Sequence, residues 1–284
     1  MKNPEGGSKE RNRMTLQDSG DMGKMEKSSN IERSSRKDAV IAGEEEFRSC
    51  FETALKEYSI VLTEKQITQF YEFYVNLIQT NRTLNLTAVT DLEGVVYKHF
   101  LDSLLIVKAV PELLSKSYRV MDIGTGAGFP GIPLAIAFPE WKLTLNDSLQ
   151  KRLGFIIEVC EKLGLTNVEL VHGRAEDLGQ QPKYREQYDL CVSRAVANLS
   201  TLSEYCIPFI HTHGLFIPYK SGKTRDELGN ARHGIQLLGG KLRNTVEFTV
   251  GPEKAERTFP VIEKVSSTPK NFPRKAGVPA KKPL

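Results

Sequence analysis

The sequence predicts an α/β fold: a mainly parallel, seven-stranded sheet behind an N-terminal layer of helices. Three observations carry this. Seven short apolar runs follow one another from residue 118 to 265, and helical patterns separate the first five. A glycine-rich turn stands directly after the first run, where an α/β nucleotide site requires it. Residues 44–110 instead repeat their apolar side chains at helical spacing.

Residues 1–43 contain no aromatic residue and mix nine basic with seven acidic side chains. Such a segment cannot bury enough apolar area to offset its ordering entropy, so a disordered tail is expected. A first helix begins near Glu44 and carries Phe47, Cys50, Phe51, Ala54 and Leu55 on one face. A second opens at Thr63, with Gln66 three residues on as a capping box. Its stripe is Ile67, Phe70, Tyr71, Tyr74, Leu77 and Ile78, for which packing is the expected role. A third helix is expected from about Asp91 to Val110, stopped by Pro111. His99 and Asp102 share a face of it, where a hydrogen-bonded structural role is expected. Lys98 and Arg82 have the charge to touch phosphate, but surface charge alone predicts nothing.

The strands expected are 118–123, 141–147, 168–173, 188–193, 214–220, 242–250 and 257–265, with helices near 131–138, 149–163, 175–179 and 199–210. The last two strands lack an obvious helix between them and read as an antiparallel pair. Pro218 removes a ladder donor from the fifth strand, which puts its pairing in question. Residues 118–265 would form the α/β core of a domain spanning 44–284, and 266–284 a basic tail. Beyond residue 265 there is no acid, but Lys270, Arg274, Lys275, Lys281 and Lys282 follow. Prolines would hold this tail extended. Arg274, Lys275, Lys281 and Lys282 are the candidate contacts to an RNA backbone.

Several function classes are excluded or disfavoured. No apolar run reaches the length of a membrane span. The N-terminus lacks the layout of a secretory signal, so a cytoplasmic protein is expected. The four cysteines form no metal-spaced cluster, so reduced thiols and no metal site are expected. A net charge of +4 does not by itself argue for nucleic acid.

The turn reads DIGTGAGFPG over 122–131. Gly124, Gly126 and Gly128 let the backbone turn sharply, Thr125 and Phe129 stand between and after them, and the following helix offers N–H groups. The glycines at 126, 128 and 131 fit a dinucleotide fingerprint, while Asp122 to Gly128 fits S-adenosylmethionine (SAM). A carboxylate at Asp122 would repel a pyrophosphate but attract the ammonium and sulfonium of SAM, which favours SAM. Asp147 ends the second strand 19 residues after Gly128, near the spacing expected of an acid that binds ribose. Ala175 and Glu176 follow the third strand, where they could meet the adenine. Arg194 and Lys220 end strands four and five and point to an anionic or carbonyl-bearing acceptor. No N-P-P-Y or D-P-P-F motif follows strand four, and no Pro-Cys pair, so amine methylation and covalent attack on a pyrimidine are disfavoured.

DIGTGAGFPGIPLAI, LNDSLQKRLGFI, SRAVANLSTL, YKSG and FPRKAGVPAKKPL resemble RsmG (also called GidB), the family of small-subunit rRNA guanine-N7 methyltransferases. NLTAVTD (85–91) and HFLDSL (99–104) are similar to that family's helical part. The resemblance covers about residues 45–284. It implies a class I SAM-dependent methyltransferase fold, Rossmann-like, and methylation of N7 of the guanine at position 527 of 16S rRNA in the small subunit. It also implies SAM contacts at Gly124, Phe129, Asp147, Ala175–Glu176 and Arg194, with Lys220 on the substrate side. Arg194 and Lys220 are thereby the expected catalytic pair. A nicotinamide-dependent oxidoreductase and a non-catalytic RNA-binding module remain the alternatives.

Overall fold

The computed structural model describes residues 39–222 and 224–284. The disordered tail expected over 1–43 therefore lies outside the described residues, except for its last five. Two long helices open the layer, α1 (Glu44–Glu57) and α2 (Glu64–Leu84). Three glutamates in the first turn of α1 and Lys56 in its last suit the helix dipole. The Thr63–Gln66 capping box is present, and Gln66 Nε2 also donates to Ile136 O and Ala137 O at 2.9 Å. One residue thus starts α2 and ties it to the sheet domain.

Five of the six stripe positions expected on α2 are buried, Tyr71 is half-buried, and Phe73, outside the expected stripe, is fully buried with them. Phe47, Phe51, Phe70, Phe73 and Phe100 are fully buried against one another. Each such ring contributes about 1.5–3 kcal/mol through burial alone. The aromatic cluster continues to Phe129 of the glycine turn, 5.2 Å from the Phe73 ring.

The third helix differs from the continuous α-helix expected. It runs α over Leu92–Val95, π over Val96–Leu101, and α again over Asp102–Leu104 and Ile106–Ala109. Asp91 caps its start by accepting from Gly94 N–H at 2.7 Å. Wider π turns often mark functional positions, and this one carries Lys98 and His99 and leads into Asp102.

The sheet contains β1 (Arg119–Ile123), β2 (Lys142–Asp147), β3 (Val168–His172), β4 (Tyr188–Arg194), β5 (Ile210–Ser221), β6 (Gly240–Val250) and β7 (Ala255–Lys264). Its order is β3-β2-β1-β4-β5-β7-β6, with β7 antiparallel to both neighbours and the other pairs parallel. This is the class I methyltransferase arrangement. Alternate strand residues feed two cores: Val120 and Val192 face the N-terminal helices, while Met121 and Cys191 face the other side. Strand order reverses between β1 and β4, so a crevice opens beyond their carboxyl ends.

Pro218 sits in register with Ser193 of β4. On the β7 side the paired positions stop at Phe216↔Ile262 and resume at Lys220↔Thr258 in the same register. The gap places Pro218 across from Pro260, so two residues without N–H groups share one interruption and the register survives.

A helix over Thr224–Leu237 joins β5 to β6 and was not anticipated. Its buried stripe is thin, with Ala231 and Ile235 inside it and Leu238 just beyond, and Gly229 and Gly234 dilute the helical signal. The segment over 199–210 also ends earlier than expected, at Cys206, with a tight turn over Ile207–Phe209 before β5.

The C-terminal tail is not extended. Arg185 donates to the carbonyls of Thr268, Pro269 and Phe272, and Gln180 to that of Pro273. Arg274 pairs with Glu204 at 2.6 Å, a carboxylate with no solvent exposure. Gly277 N–H donates to Glu176 Oε1 at 2.7 Å. The prolines set local direction, but these polar anchors decide the path and strap the tail to the sheet domain.

Candidate functional site

The glycine turn leaves β1 at Ile123. Gly124, Gly126 and Gly128 have φ of +70°, +62° and +91°, which glycine adopts without steric cost. A Cβ at Gly128 would also meet Ile132 Cγ1 at 2.7 Å. At Gly126 nothing stands closer than Gly124 O at 3.9 Å, because that position faces open space.

Most N–H groups of the turn are already engaged. Gly126 N–H donates to Asp147 Oδ2 at 3.0 Å, and Gly131 N–H to Asp122 Oδ2 at 3.0 Å. Ile132 N–H bonds to Gly128 O, and residues 130 and 133 are prolines. The helix start expected to offer free N–H groups therefore offers none. Two carboxylates occupy the donors that a pyrophosphate would need.

Asp122 does not line the crevice where it was expected; it is fully buried behind the turn. Burial pushes its carboxyl up to about 7, against the pull of the Thr125 hydroxyl and then of the Gly131 N–H. Asp122 Oδ1 and Thr125 Oγ1 are the buried side-chain oxygens without a hydrogen-bond partner among the described residues.

Beyond the strand ends lies a first cleft of about 430 Å³. Gly124, Thr125, Gly126, Phe129, Asp147, Ala175, Glu176 and Arg194 line it, as expected, while Asp122 and Gly128 stand behind it. Asp147 is 2 % exposed and accepts from Gly126 N–H and Leu149 N–H. Glu176 is held by the C-terminal strap.

A second cleft of about 390 Å³ adjoins the first. His99, Arg194 and Ala195 line both, so they form a shared wall. Arg194 lies over the Phe129 ring at 4.9 Å and donates to Asp102 Oδ2 at 2.8 Å. His99 stacks on Phe129 at 4.7 Å. Burial first, and the Arg194 charge second, lower the His99 imidazole to about 3, so it is neutral at ordinary pH. Its Nδ1 lies 3.0 Å from Lys98 O and its Nε2 2.8 Å from Thr87 Oγ1. The structural role expected for His99 and Asp102 is thus joined to a place at the site. Ala195, with φ of +57°, stores strain of about 1–2 kcal/mol at this wall.

Lys220 reaches the second cleft only, and its ammonium is paired with Glu227 at 2.6 Å. Sequence reasoning missed Glu227, Thr87 and Arg257. Arg257 gives no local signal, because only the antiparallel pairing Ser221↔Arg257 brings it to the site. Of the four cations assigned to RNA, Arg274 is engaged by Glu204, while Lys275, Lys281 and Lys282 are exposed. No described helix is long and apolar enough to cross a membrane. No group of three metal-ligating side chains is clustered among the described residues.

Residues 66–256 match the family described as GidB, rRNA small subunit methyltransferase G. Proteins called ribosomal RNA small subunit methyltransferase G share this sequence closely. One from Limosilactobacillus fermentum is 48% identical over 243 residues, covering 84% of this chain and 98% of its own. Another from Brevibacillus brevis is 48% identical over 235 residues, covering 82% and 98%. A third from Leuconostoc mesenteroides is 45% identical over 234 residues, covering 82% and 98%. A family match across two thirds of the sequence and relatives this similar over nearly their whole length show that the chain belongs to the GidB family of rRNA small subunit methyltransferases.

Proposed function

We propose that this protein transfers the methyl group of SAM to N7 of the guanine at position 527 of 16S rRNA, in the cytoplasm, on the small subunit or its assembly intermediate. The carrying observation is the pair of clefts that share the Arg194–His99 wall, one against the glycine turn and one open to a larger substrate.

The residues present fit SAM. The first cleft has the volume of a small-molecule site. Thr125 backs it with a buried hydroxyl beside the Asp122 carboxyl. Gly124 and Thr125 would hold the amino-acid end, Asp147 the ribose hydroxyls, and Ala175 with Glu176 the adenine. Phe129 and Arg194 would close the side nearest the acceptor. Asp122 acts from behind by fixing the Gly131 N–H and with it the shape of the turn.

SAM, when bound, supplies an electrophilic methyl carbon on sulfur. Guanine N7 already presents a lone pair, so no proton has to be removed. The low basicity of His99 accords with that, since an imidazole held at about 3 binds a proton too weakly to serve as a base. Positive charge develops on the base during transfer, so a free cation aimed at N7 would oppose it. Arg194 directs its Nη1 to Asp102, a carboxylate it shares with Arg257, and His99 carries no charge, so the wall suits that change. What this chain provides is alignment of the acceptor and exclusion of water. The base must leave its stack at a cost of about a few kcal/mol. Lys220 in the second cleft and Lys275, Lys281 and Lys282 on the strap are proposed as contacts that offset this.

The test is incubation with SAM carrying a labelled methyl group and with small subunits or 16S rRNA. Label in N7-methylguanine at position 527 is expected. Label elsewhere, or none alongside tight binding of a nicotinamide dinucleotide, overturns the reading.

A further inference from the structure

Four cations line the second cleft: Lys98, Arg194, Lys220 and Arg257. Lys98 is paired with Glu253 at 2.8 Å and Lys220 with Glu227 at 2.6 Å. The two arginines share one acid. Asp102 is 2 % exposed; its Oδ2 accepts from Arg194 Nη1 at 2.8 Å and its Oδ1 from Arg257 Nε at 2.6 Å. Among the described residues this cleft therefore keeps one uncompensated positive charge, seated on a guanidinium pair.

That charge is not needed to satisfy Asp102, because one arginine in bidentate contact would do so. The pair also has unused donors. Arg257 Nη1 donates to Glu256 O, and no described residue accepts from its Nη2. Arg194 Nη2 comes no nearer than 3.5 Å to His99 Nδ1.

The two guanidinium groups differ in place. Arg194 lies on the shared wall, whereas Arg257 lines the second cleft and not the first. A guanidinium commonly reads guanine through O6 and N7 together. Here N7 must stay open and becomes cationic, so that contact would block or oppose transfer. An uncompensated charge set back from the donor cleft suits the phosphate instead, which keeps its negative charge throughout.

We propose that Arg257 binds the phosphodiester of the acceptor nucleotide, and that Asp102 is a positioning residue holding Arg257 and Arg194 in fixed relation. This rests on the reading that the second cleft takes the acceptor nucleotide. The π turn gives Asp102 this place, since it ends directly before that residue.

The test compares wild type, Arg257→Gln and Arg257→Lys with a 16S rRNA fragment over a range of salt concentrations. SAM affinity is measured in parallel by calorimetry. Arg257→Gln should weaken RNA binding about tenfold at low salt. It should also flatten the plot of log affinity against log salt by about 0.7, the share of one phosphate on a single strand. SAM affinity should stay within about twofold, because Arg257 does not reach the first cleft. Arg257→Lys should keep the slope while losing affinity, since it retains charge without the planar fork. Asp102→Asn should raise KM for RNA more than it changes the melting temperature. An unchanged slope in Arg257→Gln, or SAM affinity falling in step with RNA affinity, overturns the proposal. If Arg257→Gln does not fold, loss of the slope in Arg257→Lys does so equally. Failure of wild type to methylate RNA would count against the function above, while the slopes would still decide the role of Arg257.

Discussion

The two clefts that meet at Arg194 are assembled in opposite ways. The first is made largely from one continuous turn and from the ends of β1 to β4, with backbone groups tied by Asp122 and Asp147. The second draws its charged side chains from the π turn, Asp102, β4, β5 and β7, with Val89 and Ala195 beside them. A site built on local backbone is rigid and intolerant of added atoms. A site built on a shared carboxylate tolerates atoms but depends on charge balance. Substitutions in the two places should therefore fail differently.

Removing the common wall should give the largest effect. Arg194→Ala leaves the buried Asp102 paired with Arg257 alone and should cost about 2 kcal/mol of stability, the worth of one charge-assisted hydrogen bond. SAM affinity and methyl transfer should both fall, transfer by on the order of a hundredfold or more. Calorimetry and turnover assays check this; loss of only one would show that the clefts are not joined there.

Asp122→Asn isolates the turn. The folded-state pKa of Asp122 is raised from an ordinary 3.8 to about 7, so the fold holds that proton more tightly than the unfolded chain does. Its contribution to stability is fully present below about pH 4 and is lost as pH rises to about 7. Asp122→Asn should match wild type near pH 4 and exceed it by roughly a few kcal/mol at pH 8. Urea melts at both pH values decide it, and an equal difference at both would refute the burial argument.

Gly126→Ala should show the backbone site's intolerance. Left-handed strain costs about 1–2 kcal/mol of stability. The new methyl would enter the first cleft and weaken SAM binding on the order of tenfold. RNA affinity should not change, as a filter-binding assay would confirm.

Lys220→Met, in the side-chain site, should do least. Glu227 is partly solvated, so the pair contributes no more than about 1 kcal/mol. Turnover on rRNA should fall several-fold with SAM affinity intact. A fall in SAM affinity would instead place Lys220 on the donor side.

The same contrast explains how much was legible in the sequence. The turn, Asp147 and Ala175–Glu176 follow strands at set spacings, so local pattern located them. The seven strands and the Thr63–Gln66 cap were readable for the same reason. Asp122 was placed in the right turn but on the wrong side of it, because burial is a tertiary property. Arg257 was invisible, since an antiparallel register brings it in from 155 residues beyond Asp102. The strap was misread because prolines advertise extension, whereas Arg185, Glu204 and Glu176 fold it back. The helix over Thr224–Leu237 escaped because its apolar stripe is too thin to stand out.

The π turn over Val96–Leu101 has a consequence for the length of its helix. Relative to a plain α-helix it amounts to one extra residue, and each residue in such a helix sweeps about 100°. The wider turn absorbs that residue, so forcing all six into regular winding would swing everything after them around the axis. Asp102 would then leave both arginines, even though no side chain at the site had been altered. This stretch should accept the loss of one residue more readily than the loss of its wide winding.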